Sequence, residues 1–348
     1  MLLCIATRRL LSVSYSSFKT WHTSLLRTYS AAAMSTSTRH PMSPHQPFHW
    51  ILDWDGTITR HDTLDTLVNI SASAKPDFPT EDAWRRVTKA YMDDYTATLK
   101  QLKPDGVLPK TVEDERELLK NLKAVEQRSL DRVSSSGIFA GLTATQIAAG
   151  TQKAISSQQV DFRPGFANFT QDAQAQQVGS IGHTRSLINV LSVNWSQHFI
   201  SSCLRASNVS IQSPAILSNE IGDIQHGRAS DGHIGPANGT MVISSDDKLR
   251  CLERLRQENA VAGDSLPIVY VGDSWPDLEC LLAADLGICV RDEPMGSSQR
   301  KLADSLERLG VTCPRLRDWR EADEWKVVWA RDFTEIRDWV ARLRCLEQ

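Results

Sequence analysis

The sequence predicts an α/β protein: a doubly wound parallel sheet with a mostly helical segment inserted after its first strand. Three observations predict it. Short apolar runs bounded by turn residues recur, at "HWILD" (49–53), "LINVLSV" (187–193), "NVSIQS" (208–213), "TMVIS" (240–244), "PIVYVGD" (267–273) and "LGICV" (286–290). Helical patterns separate most of them, which is the alternation that builds a parallel sheet. From residue 63 to about 158 the rhythm stops, and no strand-like run interrupts the helical spacing.

The first strand carries the most information. Trp50, Ile51 and Leu52 form a buried-strand run, and Asp53 and Asp55 follow it directly, with Gly56 and Thr57 next. Residues two apart in a strand share a face, so these two carboxylates converge on one spot. They repel, and one is pushed toward its protonated form unless a cation sits between them. In the inserted segment Trp84, Val87, Tyr91, Tyr95 and Leu99 recur at helical spacing. Leu118, Leu122, Val125 and Val133 do the same, so this stretch reads as a helical cap. "VDFRPGF" (160–166) returns the chain to the core. Near the C-terminus, Trp325, Trp329, Phe333, Ile336, Val340 and Leu343 fit one face of a core-covering helix, with partner binding as the alternative. The expected division is a leader over 1–45, a cap over 63–158, and a core of 46–62 plus 159–348.

Open parallel sheets bind ligands at the carboxyl ends of their strands. Ser192 ends the second strand, with Asn194 and Trp195 beyond it, and Gly272, Asp273 and Ser274 end a later one, with Asp277 a turn on. Lys248 sits in the first turn of a helix capped by Ser244 or Ser245. A cation is disfavoured there by the helix dipole, and a bound anion reverses that effect. Each piece has a plainer reading: a turn for "DGT", a helix cap for Ser192, a capped turn for "GDS", a solvated side chain for Lys248. Trp54, Trp195 and Trp275 each lie in or beside one of these loops. They serve either as packing or, for Trp195 and Trp275, as a wall at the substrate mouth that favours a flat or apolar group.

Taken in order, "DWDGTIT", "SVNWS", Lys248 and "GDSWPD" resemble the four motifs of the haloacid dehalogenase superfamily over roughly residues 48–292. The cap between the first two motifs, "RPGF", and "LSNEIGDIQHGRASDGHIGP" look like its phosphoserine-phosphatase-like branch. The chain looks most like poorly characterised fungal members. The resemblance implies a Rossmann-like core and hydrolysis of a small phosphorylated metabolite through an aspartyl-phosphate. It implies Asp53 as nucleophile and Asp55 as acid/base. Ser192, Asn194, Lys248, Gly56 and Thr57 would hold phosphate, with a structural hydrogen bond as the other role for Thr57. Asp53, the Asp55 carbonyl and Asp273 would hold Mg²⁺, with Ser274 and Asp277 behind them. Asp55 separates this chain from dehalogenases, which lack a second aspartate. Phosphotransfer or mutase chemistry, and a phospholigand-binding protein with weak turnover, are the alternatives.

Bulk properties agree with an ordinary folded chain of 348 residues, 41% hydrophobic and 23% charged. A net charge of −3 does not suggest a nucleic-acid surface. No apolar run reaches the roughly 20 residues needed to cross a bilayer. Seven cysteines without CxxC spacing argue against a disulfide framework and for a reducing compartment. Residues 1–52 hold no Asp or Glu, while Arg8, Arg9, Lys19, Arg27 and Arg39 lie among Ser, Thr, Leu and Ala. That composition reads as a mitochondrial transit peptide with a cleavage-like "RTYSAAA" (27–33). The alternative is an internal start at Met34 and a cytoplasmic protein.

Overall fold

The computed structural model describes residues 47–175, 186–261, 266–318 and 326–345. The basic leader, its cleavage-like stretch and Trp325 lie outside these. Eight strands are described. Six form the main sheet: β1 His49–Leu52, β2 Leu187–Leu191, β3 Ile216–Leu217, β6 Ile268–Gly272, β7 Leu286–Val290 and β8 Val327–Ala330. The other two, β4 Asn219–Ile221 and β5 Ile234–Pro236, make a small antiparallel pair. The spatial order of the main sheet is β3-β2-β1-β6-β7-β8, and every pairing is parallel. Strands β1, β6 and β7 are buried along their whole length, which is why they read as continuous apolar runs rather than alternating ones. From β1 the chain winds outward through β2 and β3, then returns to β6 on the other flank. The strand order therefore reverses at β1 and β6, the point where open sheets leave a crevice for ligands.

Helices α1 Leu64–Ala74, α2 Thr80–Leu102, α3 Val112–Ser135, α4 Ala144–Ser156 and α5 Phe166–Ala175 lie between β1 and β2. Caps fix several of these starts. Thr111 accepts from the Asp114 amide, and Thr143 with Gln146 forms a reciprocal capping box. The two ends of this helical stretch are stitched together. Arg60 N donates to Asp161 O and Arg163 N to Ile58 O, around a Thr59–Phe162 bridge. The remaining helices are α6 Gln197–Ala206, α7 Ser245–Val261, α8 Leu278–Ala283, α9 Ser297–Arg308 and α10 Phe333–Cys345.

Three expectations change. Residues 208–213 and 240–244 hold no strand; the edge strand β3 comes later and spans two residues. Apolar content buries Val209, Ile211, Val242 and Ile243 without ladder partners. Asn219 bonds Val242 in both directions instead, which fixes this stretch as an extended loop. The β4–β5 pair falls inside the "NEIGDIQHGRASDGHIGP" stretch, where no strand was expected. Thirdly, the C-terminal helical stripe divides in two: "VVWA" is β8, and the helix starts only at Phe333. Two β-branched residues favour the strand, and Asp332 stops it by accepting from the Glu335 amide as a helix cap.

Helix α10 closes one face of the sheet. Phe333 meets Phe166 and Phe169 with ring centroids 5.1 Å away in each case, and Trp339 stacks on Phe48 at 6.2 Å. Trp50 stands edge-on to Phe169 at 4.8 Å. Each fully buried large side chain of this kind stabilises the fold by about 1.5–3 kcal/mol. Gly165 lets the chain approach that helix. Its φ is +80°, and a Cβ there would lie 2.4 Å from Thr334 N. Gly165→Ala is therefore expected to lower the unfolding free energy by about 1–3 kcal/mol, read from the urea midpoint at unchanged slope.

Candidate active site

The carboxyl ends of β1, β2 and β6 converge with the start of α7. Asp53 follows β1, tied to its neighbour by Asp53 N donating to Val271 O at 2.9 Å. The chain then turns sharply through Gly56, φ +79°, where a Cβ would lie 2.4 Å from Asp273 Oδ2. Glycine is required there twice over, by the backbone angle and by that close approach. The Thr57 hydroxyl lies 3.2 Å from Asp273 Oδ1 and 3.5 Å from Asp53 Oδ2. It thus bridges the carboxylates of two strands, the structural one of the two roles expected of it.

Lys248 is buried, against the solvated reading. Its Nζ donates to Asp53 Oδ1 at 2.6 Å and Asp277 Oδ1 at 2.7 Å. Asp277 also accepts from Tyr270 Oη, from the Ser274 amide and hydroxyl, and from the Asp273 amide. It anchors the lysine and the loop after β6 and leaves no oxygen over. Burial alone would lower the Lys248 pKa, but Asp277 and Asp53 raise it, so it is a fixed cation. Burial would raise Asp277, and Lys248 holds it below the ordinary carboxylate value instead.

Asp55 is held by different partners. Its Oδ1 accepts from Thr63 N at 2.7 Å and Thr63 Oγ1 at 2.6 Å, and its Oδ2 accepts from Asn194 Nδ2 at 3.0 Å. The Trp54 indole donates to the Thr63 hydroxyl at 3.1 Å, which leaves that hydroxyl's own proton for Asp55. Burial raises the Asp55 pKa against the pull of Thr63 and Asn194. Asn194, expected on phosphate, has its amide on Asp55 and its Oδ1 on the Ser196 amide. Ser192 accepts from Asn194 N at 3.0 Å and lines the same cavity as Asp53, Asp55 and Lys248. Ser274 lines it too.

Sequence reasoning gave no role to Thr63, Arg163 or Glu115. Arg163 is 2% exposed and clasps the turn, donating to Gly56 O at 2.5 Å and Thr57 O at 3.1 Å while paired with Asp292. The "RPGF" stretch was its signal. Glu115 of α3 is fully buried, and its signal was a carboxylate one turn before Leu118 and Leu119 on an apolar face. Trp195 does not reach the cavity. It packs edge-on between Trp84 and Phe139, at 5.9 and 6.0 Å, as a joint between helices and core. Trp275 does line the cavity.

Asp53, Asp273 and Asp277 place carboxylate oxygens within 4.8 Å of one another, all buried. One lysine cannot neutralise them. Burial and Asp277 push Asp53 up to about 7 against Lys248, and burial with Asp53 and Asp277 raises Asp273 well above its ordinary value. An all-oxygen donor set short of positive charge fits a hard divalent cation. With Asp277 saturated, Asp53 and Asp273 are the side chains that would hold it.

No protein-family model matches the chain. It is 27% identical to a CTO1 family protein of Schizosaccharomyces pombe over 264 residues, 75% of this chain and 85% of that one. It is 25% identical to Cold tolerance protein 1 of Saccharomyces cerevisiae over 251 residues, 67% of this chain and 74% of that one. Among solved structures, a substrate-bound phosphoserine phosphatase covers 84% of this chain and 98% of its own at 14% identity, with a TM-score of 0.46. The Rossmann-like α/β architecture, with four motifs gathered at one edge of a parallel sheet, is the one that the resemblance to the haloacid dehalogenase superfamily implies.

Proposed function

We propose that this chain is a Mg²⁺-dependent phosphomonoester hydrolase acting on a small phosphorylated metabolite through an aspartyl-phosphate on Asp53. The observation that carries the reading is the pair of aspartates, two residues apart, in one cavity with opposite partners. Asp53 is bonded to a buried cation, and Asp55 is clasped by neutral donors. Lys248 favours the carboxylate of Asp53, which attacks, while around Asp55 burial outweighs the pull of the donors and favours a carboxyl that carries a proton.

In the first half-reaction an Asp53 oxygen bonds to phosphorus as the ester P–O bond breaks. Asp55 gives its proton to the leaving oxygen. In the second half, Asp55 takes a proton from a water whose oxygen attacks the same phosphorus. The Asp53–phosphate bond then breaks, and inorganic phosphate leaves. Mg²⁺ held by Asp53 and Asp273 would supply charge neutralisation for the phosphoryl oxygens. Lys248 and Ser192 face that group from the protein side, and Thr63 keeps Asp55 aimed.

The test is phosphate release by the full chain from a panel of small phosphomonoesters. Release that requires Mg²⁺, is lost with EDTA, and drops by about 10³-fold or more in Asp53→Asn supports the reading. Equal activity in the mutant, or silence across the panel, overturns it in favour of a phospholigand-binding protein. Phosphate passed to a second alcohol in place of water would mark transfer instead.

Thr63→Val tests the role given to Asp55. Loss of one donor to the acid/base is expected to lower kcat by roughly 10-fold to 100-fold, with KM little changed. Asp55→Asn, which removes the proton carrier itself, is expected to lose about 10²–10⁴-fold.

A further inference from the structure

We infer that the substrate of this site carries a compact apolar or aromatic leaving group, and that Trp275 is the residue that selects it. The inference rests on the phosphohydrolase reading and adds the class of ester. The cavity that begins at Asp53 and Asp55 holds about 90 Å³ and is lined on one side by helices α2 and α3. On the cap side Tyr91, Tyr95, Leu119 and Leu122 form its wall, and Trp275 and Ile243 face them from the core.

The polar groups of that wall are engaged, within it or with the core. Tyr91 Oη donates to Glu126 at 2.6 Å, and Tyr95 Oη accepts from Lys301 at 2.8 Å. Lys123 donates to Asp247 at 2.5 Å. A polyol or an amino acid entering on that side would exchange water for ring faces and aliphatic carbons, while Ser244, Ser245, Ser297 and Ser298 line the cavity elsewhere. Hydroxyl and ammonium groups buried without partners lose their hydration uncompensated. An apolar ring suffers no such loss, and sites of this kind discriminate through contact area.

The Trp275 N–H is bonded outside the cavity, to a residue that does not line it, so the indole contributes carbon surface to the wall. The indole Nε1 donates to Glu115 Oε1 at 2.7 Å, and Arg308 holds both Glu115 oxygens at 2.9 and 3.0 Å. Lys301 Nζ lies 3.8 Å from the indole centroid. The ring's neighbours in the loop are Ser274 and Pro276, and Asp273 and Asp277 stand just outside them. Because those two aspartates share the loop with Trp275, the selecting ring is fixed relative to the reacting phosphate. Glu115 acts through Trp275 and is a positioning residue.

The experiment compares kcat/KM of the full chain with Mg²⁺ on benzyl phosphate, glycerol 3-phosphate and O-phosphoserine, all alkyl esters with similar intrinsic reactivity. Acetyl phosphate, too small to reach the wall, reports on chemistry alone. The expected result is a preference for benzyl phosphate of about tenfold or more. Trp275→Ala should collapse that ratio, chiefly through KM for the benzyl ester, while Trp275→Phe retains most of it. Leu122→Asn, on the opposite wall, should lower the ratio as well. A purely structural role would depress all esters together and leave the ratio alone. A wild-type preference for the polar esters, or a ratio unmoved by both Trp275→Ala and Leu122→Asn, overturns the inference while phosphate release persists. No release from any of these substrates, acetyl phosphate included, overturns the hydrolase reading itself and the inference with it.

Discussion

The architecture of this protein depends on a charge imbalance at the end of two adjacent strands. Asp53, Asp273 and Asp277 are buried together around a single lysine. Three carboxylates in a place of low dielectric are tolerated only where positive charge is held among them. Lys248 reaches Asp53 and Asp277 because α7 starts beside the β1 and β6 ends. The deficit that remains beside Asp273 is what a divalent cation would fill, and the proposed chemistry grows from that deficit.

Around this centre the helical segment and the core are joined by polar ties that also position the site. Lys123 of α3 pairs with Asp247, the residue before Lys248, and Asp247 in turn bonds the Ser244 cap of α7. Glu115 of α3 fixes Trp275 in the loop that carries Asp273 and Asp277. Lys301 of α9 reaches Tyr95 of α2. Each tie links a helix of the segment after β1 to an element that bears, flanks or lines the candidate site. Moving the helices away would therefore loosen the lysine helix and the β6 loop together, so enclosure of the cavity and the order of its charged groups are parts of one arrangement.

Much of the site was legible because its parts are local. Asp53 and Asp55 stand at the end of an apolar run, and the spacing alone brings them near one another. Lys248 stood out as a cation in the wrong turn of a helix, read as a partner for a bound anion, and the structure gives it two carboxylates. The less legible parts have partners far along the chain. Asn194 reads as a residue of the second motif, and only its neighbour across the sheet turns it toward Asp55. Trp195 and Trp275 look equivalent in sequence, each beside a motif. One packs against Trp84 and Phe139, and the other lines the cavity opposite Tyr91 and Tyr95, so what separates them is the part of α2 that each one meets.

By itself, the sequence determined the strand-and-helix alternation, the helical character of the segment after β1, and which residues end β1, β2 and β6. Apolar periodicity and turn chemistry act over a few residues and can be read directly. Tertiary structure decided which extended stretches pair: 208–213 and 240–244 are apolar but unladdered, while "VVWA", placed on a helical stripe, became the edge strand β8. It also decided the partners of Thr63, Arg163 and Glu115. Strand pairing and buried ion pairs are settled by surfaces that meet only after the chain has folded, and no local pattern encodes which surface that will be.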